Sequence, residues 1–101
     1  MKRYRITGTA DRQLQEIWRY SHDRWGRVQA DAYLARIDAA LAAALVTPAL
    51  LRPRPELGEG VVARGAASHI AYCVVDADIL IVIAVLHARM DPRRHLLKDR
   101  D

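Results

Sequence analysis

Between Leu86 and Leu96 the chain reads Leu-His-Ala-Arg-Met-Asp-Pro-Arg-Arg-His-Leu, gathering two histidines, three arginines and an aspartate into one short run. Imidazole titrates near neutral pH and can give or take a proton, while guanidinium stays charged and grips phosphate or carboxylate. Such a set suits either acid–base chemistry on an anionic substrate or the binding of an anionic surface. Spacing assigns the parts. If the alternation of the preceding strand continues, Ile79, Ile81, Ile83, Val85, His87 and Arg89 share one face, and His87 and Arg89 emerge together at the strand's end. Asp91 followed by Pro92 reads as a helix start, with the carboxylate accepting the backbone N–H of Arg93 or Arg94, so Asp91 is expected to have a structural task. His95 then falls on the first turns of a short terminal helix. Leu96 and Leu97 can anchor that helix, and Arg93, Arg94, Lys98 and Arg100 keep it basic. His22 and His69 are expected to be hydrogen-bonded structural groups.

The elements that must position this cluster follow from periodicity. Ile79 to Leu86 is apolar at every position, as for a central strand covered on both sides. Val61 to Arg64 and Ser68 to Val75 precede it, separated by Gly65-Ala-Ala67 and Asp76-Ala-Asp78, both short enough for hairpins. The result is a three-stranded antiparallel meander, in which Ile70, Tyr72 and Val74 oppose His69, Ala71, Cys73 and Val75. Further upstream, Tyr4 and Ile6 alternate with polar neighbours in a strand over Arg3 to Thr7. Gly8 is expected to break it and Thr9 to cap a helix whose apolar face is Ala10, Leu14, Ile17, Trp18, Ser21 and Trp25, ending near Gly26. A second helix carries Val28, Ala32, Leu34, Ile37, Leu41, Ala44 and Leu45 and stops at Pro48, so the two form an antiparallel hairpin. Its many alanines make it thin enough for the sheet to approach closely. Pro48 to Pro55 reads as a solvated loop without regular structure, carrying Arg52 and Arg54. The expected fold class is α+β, a single domain over 1–101: N-terminal strand, helical hairpin, meander and short C-terminal helix. The hairpin covers one face of the sheet; the C-terminal segment, a partner chain or both must cover the other.

Composition limits the classes. A chain of 101 residues buries roughly two thirds of its unfolded surface, enough for one modest core. A net charge of +4 points to an acidic partner or to solubility, and speaks to association rather than fold. Cys73 is the single cysteine, which fits a reducing compartment. The start lacks the apolar run of a signal peptide, and Ile79 to Leu86 is far shorter than the ~20 residues a bilayer-spanning helix needs. These features lead to an expectation of a soluble, cytoplasmic protein with no cofactor, no metal and no membrane.

One resemblance is specific. The run Leu86 to Leu96 is similar to the C-terminal signature of the ParE toxins, within the ParE/RelE toxin superfamily. The opening Tyr4-Arg-Ile strand, the Ile17-to-Tyr20 helix with Trp25-Gly26, Gln29-Ala30-x-x-Tyr33 and Ser68-His-Ile-Ala-Tyr72 agree in order and spacing over nearly the whole chain.

The resemblance implies the toxin of a type II toxin–antitoxin pair. It would be neutralised by a small ParD-like antitoxin that wraps the hairpin and sheet, in a heterotetramer or larger complex. ParE-like members block DNA gyrase, whereas RelE-like members cleave messenger RNA on the ribosome, so the fold alone does not choose. A metal-free ribonuclease needs a base for the 2′-hydroxyl, an acid for the leaving oxygen and cations around the phosphate. By position, Arg64, Arg89 and His95 are the candidates for that chemistry, and no lysine lies between residues 3 and 97. Many relatives carry an arginine after a glycine in the first meander strand; here Val61 and Val62 follow Gly60. The expectation is therefore a gyrase inhibitor that acts by binding, without catalysis and without sequence-specific DNA contacts of its own. Its target surface is His87, Arg89, Arg93, Arg94, His95 and Arg64, and its antitoxin surface Ile17, Trp18, Leu34, Ile37, Leu41, Arg52 and Arg54. A RelE-like endonuclease and an inactive toxin-derived binding module are the alternatives.

Overall fold

A computed structural model describes residues 1–96. Leu97, Lys98 and Arg100, expected to prolong the terminal helix, lie outside the described residues.

Strand β1 (Arg3–Ile6) alternates exposed and half-buried positions, as its period-2 pattern requires. Helix α1 (Gly8–Trp25) begins immediately after it, two residues earlier than expected, and its N-cap is Thr7 rather than Thr9. Thr7 keeps the extended backbone that a cap needs, and its hydroxyl accepts the Ala10 N–H at 3.2 Å. A Thr cap of this kind contributes about 1 kcal/mol. Gly26, at φ 87°, closes α1 by donating to the His22 carbonyl at 2.8 Å and opens α2 (Arg27–Val46). One residue thus turns the hairpin, and glycine is the type that reaches this φ without a Cβ clash. Trp25 and Val28 flank the turn and are 61 % and 84 % exposed, so neither belongs to the buried stripes. The buried positions are Ala10 and Ser21 on α1 and Ala30, Ile37, Leu41 and Ala44 on α2. Tyr4 ties β1 to α2 through its hydroxyl bond to Asp38. Burial first, and the Asp38 carboxylate second, push that phenol up to about 12.

The connection after α2 is more regular than its prolines suggested. A 3-10 turn at Pro48–Leu50 leads into β2 (Arg52–Pro53), and a second at Pro55–Leu57 follows. Strand β2 pairs antiparallel with β3 (Val62–Ala66), Arg52 opposite Ala63 and Pro53 opposite Val62. A proline is tolerated there because β2 is an edge, where its missing N–H breaks no ladder. The expectation of a loop without regular structure fails because a two-residue strand is too short to show a period.

Strands β3, β4 (His69–Asp76) and β5 (Ile79–His87) form the antiparallel meander. The five strands lie in the order β1-β5-β4-β3-β2, and β1 runs parallel to β5, with Arg3 opposite Ile79 and Ile6 opposite Val82. The sheet is therefore mixed. Strand direction within the meander is written in its short turns, whereas β1 reaches β5 across the whole chain and no local signal sets its sense.

One irregularity reassigns faces. Cys73 pairs with Val82 but Tyr72 pairs with Ala84, so Ile83 is an extra residue in β5. A bulge of this kind inverts the side-chain alternation beyond it. Leu80, Val82 and Val85 join the helix-side core, while Ala84 and Leu86 join the opposite one with Ile83 against them. The expected single face from Ile79 to Arg89 is broken at Ile83, and Arg89 lies in a turn after the strand.

The second face is covered largely by the chain itself. Leu57, from the 3-10 turn, and Leu96, from α3 (Pro92–Leu96), are both buried against Tyr72, Ala84 and Leu86. Ile70, Val74 and Ile83 stay half-buried on that side. Among the described residues no helix is long and apolar enough to cross a membrane.

Candidate functional site

The bulge brings the end of β5 against α1. Beyond Ile6, strand β1 no longer covers that edge of β5, and the Val85 N–H, which points outward there, is taken by the Gln13 side-chain oxygen at 2.7 Å. This bond lets a helix stand beside a strand edge without leaving a donor unpaired. Between them opens a cleft of about 800 Å³, walled by Gln13, Glu16, Ile17, Tyr20 and Trp25 of α1, Tyr33 of α2, His69 and His87 of the sheet, and His95 of α3.

Two histidines face each other inside it. His69 and His87 are cross-strand partners at the open end of the hairpin, with ring centroids 5.3 Å apart and planes at 78°. The Ala88 N–H bonds the Ser68 carbonyl, which marks 69 and 87 as a non-hydrogen-bonded pair, the kind whose side chains lie closest. The Tyr33 hydroxyl accepts the Ser68 N–H at 3.1 Å and lies 2.6 Å from His69 Nδ1. Burial first, and His87 second, hold the His69 imidazole below its ordinary range. His87 Nδ1 accepts the backbone N–H of Arg89 at 3.1 Å. His69 is structural as expected, yet it belongs to the site. A register count comes within one residue of it: the Asp76-Ala-Asp78 turn alone places His69 opposite Leu86, and the bulge moves it by one residue onto His87.

The basic rim lies outside the cleft. The Met90 N–H bonds the His87 carbonyl at 2.9 Å, and Asp91 caps α3 through the Arg93 N–H at 3.0 Å, as its spacing implied. Arg89, Arg93 and Arg94 are all exposed around that turn, and buried Leu96 pins the helix. Arg64 stands apart: its Nε donates to the Ala40 carbonyl at 2.9 Å, holding β3 to α2. Among the described residues no arginine or lysine lines the cleft. The imidazoles and the guanidiniums are thus separated, and the arrangement does not surround a phosphate with cations beside an acid–base pair. Nor do three His, Cys, Asp or Glu side chains converge on a metal site among the described residues.

The hairpin residues divide similarly. Ile17 and Leu34 are half-buried, as is Trp18, which donates to Asp31 at 2.8 Å and stacks on His22. Ile37 and Leu41 lie in the chain's own core at 2 % and 1 % exposure, which takes them out of any contact surface. Arg52 is exposed; Arg54 pairs with Glu56 at 3.2 Å and sits over the Tyr72 ring.

Residues 4–92 match the family model described as ParE toxin of type II toxin-antitoxin system, parDE. The chain is 37 % identical to the Toxin ParE1 of Mycobacterium tuberculosis over 93 % of this chain and 97 % of that one. With the Toxin ParE1 of Caulobacter vibrioides the identity is 34 %, over 95 % and 99 % respectively. Among solved structures, a chain from the chromosomal ParDE TA system of P. aeruginosa superposes with a TM-score of 0.72 at 16 % identity, covering 86 % of this chain and 95 % of that one.

Proposed function

The chain belongs to the ParE toxin family of type II toxin–antitoxin systems, and from that premise we propose that it arrests DNA gyrase by binding it, and that a cognate ParD-like antitoxin neutralises it. The observation that carries the binding reading is the separation of charges: Arg89, Arg93 and Arg94 crown an exposed turn, while the imidazoles lie in a cleft that no arginine or lysine among the described residues lines. Arginines displayed in this way steer and orient an acidic surface, but they do not assemble a proton-transfer site. His87 contributes from behind, by accepting the Arg89 N–H, and His95 faces the cleft. Arg64, bonded to Ala40, serves the fold rather than the target. The antitoxin contacts are the half-buried hairpin residues Ile17, Trp18 and Leu34 and, separately, Arg52 and Arg54 at the β2 edge; apolar and cationic contacts of this kind suit an acidic amphipathic segment.

Supercoiling by purified gyrase tests the proposal. Equimolar protein should block it, and the triple variant R89A/R93A/R94A should raise the half-inhibitory concentration at least tenfold while keeping the wild-type circular dichroism. Unaffected supercoiling at equimolar or higher protein sinks the proposal.

A further inference from the structure

The bonding at the end of β5 fixes the tautomer of one cleft histidine. A backbone N–H can only donate, so His87 Nδ1, which receives the Arg89 N–H at 3.1 Å, is bare. The ring that accepts it is neutral, with its hydrogen on Nε2. Tyr33 accepts the Ser68 N–H and shares a 2.6 Å hydrogen bond with His69 Nδ1, in which either group can donate. A proton arriving at His87 Nδ1 turns the acceptor into a second donor facing Arg89 N–H, and the two cannot coexist.

We propose that the His69–His87 pair is a proton-operated latch: neutral at His87, it fixes the turn that carries Arg89; protonated there, it lets that turn go. The partner ring is part of the device, because two imidazolium ions with centroids 5.3 Å apart repel each other. The other titratable groups lining the cleft are Glu16 and Tyr20 from α1, Tyr33 from α2 and His95 from α3. A carboxylate at Glu16 favours an imidazolium in the cleft, and a charged His95 opposes one. Burial, then His87, keep His69 below the ordinary imidazole range, so the unfolded chain binds that proton more readily than the folded one. The stability this group supplies is full above about pH 6.5 and is lost as pH falls toward the lowered value. The latch follows from the geometry alone; its bearing on gyrase rests on the proposed function.

Nuclear magnetic resonance on the free, full chain tests it between pH 8 and pH 5. The Arg89 amide should move with the same midpoint as the His87 ring. H87N offers Asn Oδ1 where Nδ1 stood, an acceptor that does not titrate, and should hold the Arg89 amide still. The same variant should raise the His69 midpoint, because the imidazolium that repels a charge there is gone. An Arg89 amide that stays fixed while His87 titrates, a His87 that does not titrate in this range, or an unchanged His69 midpoint in H87N overturns the latch. In the gyrase assay, wild type should lose several-fold more inhibition between pH 7.5 and pH 6 than H87N does; equal losses overturn the regulatory role. Absent inhibition at both pH values would instead count against the gyrase reading, with the resonance result deciding the latch.

Discussion

At the scale of single residues, the site depends on side chains that satisfy backbone groups, and Gln13 is the clearest. Its oxygen is the partner of the Val85 N–H at a point where the β1 ladder has ended. Removing it leaves a half-enclosed donor with nothing to bond, a loss of about 1–3 kcal/mol. Gln13→Ala should therefore lower the unfolding free energy by that amount, read from the urea midpoint and slope, whereas Gln13→Glu, which keeps an acceptor, should recover most of it; equal losses in the two would show that the bond contributes nothing. Tyr33 works in the same way on Ser68 and His69. None of these polar pairs was legible in the sequence, because a glutamine on a helix and a tyrosine in a motif do not announce which backbone group they will meet. Asp91 was legible, since its partner lies two residues away and a proline follows it.

Elements carry their information unevenly, and the turns show why. The β4–β5 hairpin places Ala77 and Asp78 at φ 48° and 65°, a pair of left-handed residues in a two-residue turn. That geometry matches the twist of the strands but suits glycine or asparagine far better than alanine. Ala77→Gly should thus stabilise the protein by about 0.5–1 kcal/mol, read as a higher thermal midpoint, because relief of the Cβ clash outweighs the added freedom of the unfolded chain. A lower midpoint would mean that the turn is not strained. The hairpin itself was readable from spacing, as were both long helices and the short α3. What sequence could not provide was the bulge at Ile83, since a strand apolar at every position has no alternation to interrupt. That one hidden residue moved His87 off the face of Ile79 and Ile81 and into the cleft. The parallel placement of β1 and the edge strand β2 were missed for a related reason: both are fixed by partners distant in sequence, not by local pattern.

Across the whole molecule, the sheet has two faces of unequal depth, and the basic rim hangs on the shallower one. The helix side packs Ile37, Leu41, Leu80, Val82 and Val85 beneath two full-length helices. The other side is closed by Leu57 on a 3-10 turn and Leu96 on a five-residue helix. Free energy of local opening follows buried apolar contact, so the second cover should open before the fold as a whole does. Native-state hydrogen exchange should then give the slowest amides in β5 and α2, with α3 and residues 55–57 exchanging in an earlier, separate unit. Leu96→Ala removes the anchor of α3 and costs about 2–5 kcal/mol locally; it should speed exchange in α3 and around Leu57 and Tyr72 while leaving α2 nearly unchanged. Uniform acceleration throughout would show one indivisible core instead. If the two units do separate, the arginines of the rim sit on a segment that can detach without unfolding the domain, and the His87 contact to Arg89 joins Leu96 in governing how they are displayed.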